Sequence, residues 1–173
     1  MSCGTTGTHA QPSSLANEAR PALLALYREL DQELRQLGPV CQLSGRCCRF
    51  REYEHVLFLS QPEAAVLLAG APPASRPVDD GATCPWQDAQ NRCTARDARP
   101  IGCRVYYCDP SFTESASELS ERYLQRLKQL AAQHGWPWNY APLHDHLRQT
   151  IPQEARSIDP ALSIDPSPGP AAP

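Results

Sequence analysis

Apolar side chains recur at every third or fourth position in an early segment of the chain. This spacing places them on one face of an α-helix, and it predicts a helix over about 17–37 that ends at Gly38-Pro39. Pro21 falls in the first turn of this predicted helix, where its missing N–H costs little. The apolar positions of the face are Ala19, Leu23, Leu26, Leu30, Leu34 and Leu37.

A second long helix is predicted over about 115–134 by the same periodicity. Ser115 and Glu118 have the spacing of a capping box at its start, and Gly135 is the expected end. Residues 142–149 predict one more short helix. The apolar stripe of the long helix consists of Leu119, Tyr123, Leu127, Leu130 and Ala131.

Between the long helices the pattern changes to short elements. Residues 55–59 form a brief apolar run of strand type. Ser60 and Glu63 then have the spacing of a second capping box, which predicts a short and nearly all-apolar helix that ends at Gly70.

The following segments favour loops. Residues 71–83 are rich in Pro and Gly, and residues 84–95 are expected to form two extended pieces around a turn, which brings Cys84 towards Cys93. Residues 96–110 predict a turn followed by a short extended piece. Trp136, Trp138 and Tyr140 form an aromatic turn that is expected to close the core after the second long helix.

Composition fits one modest domain rather than several. The chain has 173 residues, of which 41% are hydrophobic and 20% are charged. These features predict a small, mainly α domain over 14–150, with helices packed around an irregular cysteine-rich metal-binding centre. Residues 1–13 are expected to be a disordered N-terminus, and residues 151–173 a proline-rich disordered tail.

Charge and hydropathy narrow the function classes. The net charge of −3 argues against a nucleic-acid partner. No segment approaches the roughly 18 apolar residues that a membrane span needs. The first residues lack the basic and apolar regions of a signal peptide, so we expect a cytoplasmic protein without a membrane partner.

Cysteine is concentrated in one part of the chain. Such a concentration is unusual for a residue serving only as a small hydrophobe, and in a reducing compartment clustered thiols more often bind metal than form disulfides. A loop-rich stretch offsets its ordering entropy poorly by burial alone, whereas metal–ligand bonds supply that free energy. The candidate metal ligands are Cys41, Cys47, Cys48, Cys84, Cys93, Cys103 and Cys108.

The spacing of these cysteines favours an iron–sulfur cluster over zinc. Structural zinc sites use ligand pairs with two to four residues between them, and only the pair Cys103 and Cys108 fits. Cys47 and Cys48 are adjacent, and adjacent side chains diverge in extended backbone, so we expect them to play different parts. An iron–sulfur cluster, of the [4Fe–4S] type, is the expected cofactor, and zinc is the alternative.

Other residues near the thiols have two interpretations. Arg46, Arg49, Arg92 and Arg104 lie within one residue of a cysteine, where guanidinium charge lowers a thiol pKa, although ordinary surface charge explains them equally well. His55 is either a ligand or, more simply, a histidine satisfied at the start of a strand.

Two elements of the sequence resemble a known family. They are C-x5-CCRF at 41–50 and CTARDARPIGCR at 93–104, in that order with Cys84 between them. Together they are similar to the YkgJ-type cysteine-cluster family, described as a zinc- or iron-chelating domain, and the similarity covers about 41–110. The resemblance implies a bound iron–sulfur cluster or zinc, with Arg99 and Arg104 of the second element near it.

One position departs from the family pattern. Ser44 stands where many members have the second cysteine of a CxxC pair, and Cys108 is an additional thiol that is a candidate for the missing ligand.

The sequence therefore leaves three functions open. The first is an iron–sulfur protein acting in electron transfer, redox sensing or support of an enzyme, with an unidentified redox or enzyme partner protein. The second is a zinc-stabilised interaction module without redox chemistry. The third is a metal-dependent modifying enzyme, because the resemblance extends to the cysteine domain of flagellin lysine N-methylase.

Overall fold

The computed structural model describes residues 12–78 and 81–150, which form five α-helices and two short strands. The predicted small, mainly α domain is confirmed, and the predicted tail 151–173 lies outside the described residues. None of the described helices is both long and apolar enough to cross a membrane. The elements are α1 (Pro12–Leu37), β1 (Phe58–Ser60), α2 (Gln61–Gly70), α3 (Ile101–Val105), α4 (Thr113–His134), β2 (Tyr140–Pro142) and α5 (Leu143–Thr150).

Helix α1 begins earlier than its periodicity predicts. It includes Pro12 and Ser13, so the predicted disordered N-terminus is wrong at these two residues, while residues 1–11 lie outside the described part. Pro21 is therefore inside the helix rather than in its first turn. Leu15 and Ala16 are buried and extend the apolar face, and this burial offsets the backbone bond that Pro21 cannot make.

Helix α4 also begins earlier than predicted. The Asp109 side chain accepts a hydrogen bond from the Ser111 N–H at 3.0 Å, and the 3-10 turn Pro110–Phe112 that it caps leads directly into the helix. Ser115 consequently lies within α4, and the predicted capping box there is wrong. Gly135, with a φ of 68°, ends the helix in the left-handed conformation as predicted.

The long helices build one hydrophobic core, and the short elements build another. The first core joins the apolar faces of α1 and α4 with residues of α2 and α3. The second core gathers the cysteine-containing loops with residues of α2, α5 and β1. Strand β1 pairs antiparallel with β2, and Leu59 lies opposite Ala141. Two cysteines, Cys48 and Cys84, are buried members of this second core.

Segment 96–110 is not extended as predicted. It contains α3, which Pro100 precedes in extended conformation. The reason is tertiary, because Ile101, Arg104 and Val105 have helical spacing and all become buried against other elements.

A buried carboxylate, Glu63, joins three helices. Its Oε2 accepts hydrogen bonds from the N–H and hydroxyl of Ser60, both at 2.9 Å, which completes the predicted capping box. Its Oε1 accepts from the Ile101 N–H at the start of α3, at 2.9 Å, and from the Tyr27 hydroxyl of α1, at 3.3 Å. Burial raises the pKa of Glu63, and the hydrogen bonds from Ser60, Ile101 and Tyr27 oppose this shift.

We predict that Glu63→Gln destabilises the fold, although the glutamine and glutamate side chains have nearly the same shape. Each carboxylate oxygen faces a backbone N–H, of Ser60 or of Ile101, so the amide NH2 of glutamine meets a donor in either orientation. The expected loss in the free energy of unfolding is about 1–3 kcal/mol, measured by urea denaturation. Glu29→Gln is the control because Glu29 forms an exposed ion pair with Arg126, and it should cost less than about 1 kcal/mol. Equal stabilities of the two variants would contradict the prediction.

Candidate metal centre

Five of the seven predicted ligand cysteines lie together. The Sγ atoms of Cys47 and Cys48 are 3.9 Å apart. The Cys48 thiol also interacts with the thiols of Cys84 and Cys93. Charge on Cys84, Cys47 or Cys93 raises the pKa of Cys103, so Cys103 lies close to these thiols. The five residues come from four separate segments of the chain, so the fold and not local sequence assembles the cluster.

Cys47 and Cys48 lie in a 3-10 turn, Arg46–Cys48, instead of an extended segment. The expectation that the two side chains diverge is therefore wrong, because it assumed extended backbone. Gly45 begins the turn with a φ of 69°, and its carbonyl accepts a hydrogen bond from the Cys48 N–H at 3.1 Å. The carbonyl of Cys48 in turn accepts one from the Cys84 N–H at 2.8 Å, which holds the second cysteine segment beside the first.

The segment around Cys93 folds back as the sequence predicts. Gln87 and Cys93 form an antiparallel bridge, and the Asp88 N–H donates to the Arg92 carbonyl at 2.9 Å. Gln87 was not foreseen as part of the site, although its buried amide Nε2 donates to the Gly45 carbonyl at 3.1 Å. This contact ties the Cys93 turn to the Cys47 turn, and no motif in the sequence signals it.

Cys103 reaches the cluster from helix α3. Its N–H donates to the Pro100 carbonyl at 3.0 Å, in the first turn of the helix. Because Glu63 accepts a hydrogen bond from Ile101, the start of α3 is fixed to the buried carboxylate. The position of Cys103 therefore depends on a residue 40 positions earlier in the chain.

The remaining two cysteines have different surroundings. Cys41 is exposed, and no thiol contact joins it to the five in the described structure. The Sγ of Cys108 lies 3.2 Å from the Oγ of Ser44, the residue that departs from the family pattern. Cys108 thus lies beside Ser44, and its role as a replacement ligand stays a prediction.

Hydrogen bonding among the thiols separates their pKa values. The hydrogen bond with Cys48 lowers the pKa of Cys47 to about 7 and that of Cys93 to about 6, with the charge of Arg99 acting in the same direction. The same contacts raise the pKa of Cys48. Removal from water, together with the neighbouring thiols, raises the pKa of Cys103.

Of the two predicted cofactor-binding arginines, Arg99 is the one whose charge lowers the pKa values of Cys47 and Cys93. Arg104 is buried, and its guanidinium donates to the Asp31 carboxylate at 2.6 Å and to the carbonyls of Arg99 and Asp97. It also lies over the ring of Tyr27. Arg104 therefore serves the packing of α3 against α1, although it follows Cys103 directly in sequence.

A groove of about 840 Å³ opens beside the cluster. Cys47 and Cys103 are part of its lining, and helix α4 provides much of the rest. His55 also lines it, with its Nε2 3.4 Å from the Cys47 carbonyl and its ring stacked on Tyr106. Both ring nitrogens of His55 face backbone carbonyls, which favours the simpler interpretation of this histidine.

The thiols do not form a finished metal site. Within 12–78 and 81–150, no group of three or more His, Cys, Asp or Glu side chains is arranged to hold a metal ion. The donor set is nevertheless all sulfur, which suits zinc and iron–sulfur clusters. All seven described cysteines are free thiols, so none is withdrawn into a disulfide.

We predict that Gly45→Ala disrupts this part of the fold. A Cβ at Gly45 would lie 2.3 Å from the Asn91 carbonyl oxygen and 2.7 Å from the Gln87 amide. Gly38 is the matched control, since its φ is also positive, at 67°, but no atom lies within 4 Å of its would-be Cβ.

Gly38→Ala should cost about 1–2 kcal/mol of unfolding free energy, the usual cost of a left-handed alanine. Gly45→Ala should cost more than about 3 kcal/mol, because the clash adds to that conformational cost. Chemical denaturation of both variants measures the difference. Equal losses would show that the Cys47 turn and the Cys93 turn are not packed as described.

Comparison of the chain with family models, with curated proteins and with solved structures found no match. The similarity to the YkgJ-type family therefore stays a prediction that is supported by the cysteine and arginine motifs alone.

Proposed function

We propose that this protein binds a metal group through its clustered thiols, and that the group is an iron–sulfur cluster. The observation that carries the proposal is the convergence of Cys47, Cys48, Cys84, Cys93 and Cys103 from four segments. An apolar core has no need to bring five thiols together, whereas a thiolate-ligated centre requires it.

Binding requires the ligand side chains to rearrange. The thiols lie near one another without the geometry of a finished site, so some must rotate towards the metal and lose their protons. Cys47 and Cys93, with pKa values of about 7 and about 6, ionise before Cys48 and Cys103, whose pKa values are raised. The charge of Arg99 partly neutralises the resulting thiolates.

The irregular spacing of the ligands supports the cluster, because iron–sulfur centres accept cysteines from scattered loops. One measurement favours zinc as the alternative. The Sγ atoms of Cys47 and Cys48 are 3.9 Å apart, close to the value of about 3.8 Å expected for two thiolates of one tetrahedral zinc ion. Zinc would make the chain a structural interaction module.

The groove beside Cys47 and Cys103 is the route by which another molecule reaches the centre. When bound, an iron–sulfur cluster supplies one-electron transfer, and we propose a redox or enzyme partner protein that approaches along this groove. The same opening supports the third function, a modifying enzyme that admits its substrate there. Free thiols agree with a cytoplasmic location, where cysteines persist in the reduced form.

The identity of the metal is tested by analysis of protein purified without oxygen. We expect iron and sulfide in equal amounts, with broad visible absorption that bleaches on reduction. One zinc per chain without colour would replace the iron–sulfur proposal with the zinc alternative. Absence of both metals after reconstitution with iron and sulfide, or with zinc, would contradict metal binding itself.

The ligand set is tested by single Cys→Ser variants. Cys48→Ser should lose most of the bound metal, because the Cys48 thiol interacts with those of Cys47, Cys84 and Cys93. Cys41→Ser is the matched control, since Cys41 is exposed and away from these contacts, and it should retain the metal. Metal per folded chain, with circular dichroism to verify folding, measures both. Equal retention by the two variants would contradict the assignment of the site.

A further inference from the structure

A second concave site lies between helix α1 and the segment that leads into α3. Its volume is about 300 Å³, and four of its eight lining residues are arginines. This density of guanidinium groups is unexpected in a chain whose net charge is −3. The lining residues are Leu24, Tyr27, Arg28, Asp31, Arg96, Asp97, Arg99 and Arg104.

One arginine forms a rigid, neutralised wall of the pocket. Arg104 is only 6% exposed and pairs with Asp31 at 2.6 Å. Its other donors bind the carbonyls of Arg99 and Asp97, at 2.8 and 2.9 Å. These bonds fix the backbone from which Arg96 and Arg99 project, so this side of the pocket is preorganised.

The other charges leave a positive excess. The charges of the Arg104–Asp31 pair cancel each other. The charged residues that remain in the lining are one carboxylate, Asp97, and three arginines, Arg28, Arg96 and Arg99. In the part of the chain that the structure describes, no carboxylate forms an ion pair with any of these three arginines. The pocket therefore presents about two uncompensated positive charges, three minus one, to a small molecule.

We propose that this pocket binds a small phosphate-bearing anion. The planar guanidinium fork matches phosphate oxygens, and a phosphate monoester carries about −1.5 to −2 charges at pH 7, which balances the excess. Tyr27 and Leu24 complete the wall on the α1 side, and the half-buried Leu24 offers contact for a carbon portion of the ligand. The volume lies at the lower end of the range for small-molecule sites, which suits one phosphate group with a small substituent.

The inference is independent of the metal centre. Arg96 and Arg99 are shared by the pocket and the thiol cluster, because the charge of Arg99 also acts on Cys47 and Cys93 and that of Arg96 on Cys93. Substitution of Arg28 is therefore the clean test, since Arg28 is an exposed residue of α1, and substitution of Arg96 is a second test of the pocket.

The test is isothermal titration calorimetry of the full chain in 0.15 M salt. Inorganic phosphate and phenyl phosphate are the probes, and they distinguish a free phosphate from a phosphate ester. Citrate tests whether any polyanion suffices. We expect one site per chain for at least one phosphate probe, with weaker binding of citrate.

Arg28→Gln and Arg96→Gln should each weaken the binding of that probe at least tenfold. Arg122→Gln and Arg126→Gln are matched controls, because they remove the same charge from exposed positions on α4 that pair with Glu33 and Glu29. The controls should bind as the unmodified protein does, and an unchanged thermal midpoint of the pocket variants should verify their folding. Absence of binding, equal weakening by the control variants, or citrate binding as tightly as both phosphate probes would overturn the proposal.

Discussion

The fold depends on one carboxylate placed where water cannot reach it. Glu63 is 2% exposed, and its oxygens accept hydrogen bonds from α1, from the start of its own helix and from the start of α3. A carboxylate is costly to bury, and here the cost is offset because each oxygen has two donors. Helix α3 carries Cys103, so the same interaction that joins the helices also places one wall of the thiol cluster.

The cysteine-rich loops are held by backbone contacts between segments rather than by regular structure. The Cys84 N–H bonds to the Cys48 carbonyl, and the Gln87 side chain bonds to the Gly45 carbonyl. These contacts bring the turns close enough for their thiols to interact and to shift one another's pKa values. A metal group at this point, as proposed, would connect the same loops again and offset the entropy of ordering them.

The arginines illustrate how sequence neighbours are separated by the fold. Arg104 follows Cys103 in the chain, yet the helical turn directs its guanidinium to Asp31 and Tyr27 of α1. Arg99 precedes Cys103 by four residues and acts on the cluster while it also lines the arginine-rich pocket. One short segment, 96–104, thus contributes both to the thiol cluster and to the arginine-rich pocket.

The sequence by itself determined the helical class, the Ser60–Glu63 cap, the Gly135 end and the turn that carries Cys93. These features depend on apolar periodicity and on residues that act within a few positions of one another. Tertiary structure alone decided that 96–110 contains a helix, that the Sγ atoms of Cys47 and Cys48 lie 3.9 Å apart in a 3-10 turn, and that Cys41 lies apart from five other thiols. Each of these outcomes depends on burial or hydrogen bonding between segments distant in the chain, and no local pattern encodes such contacts.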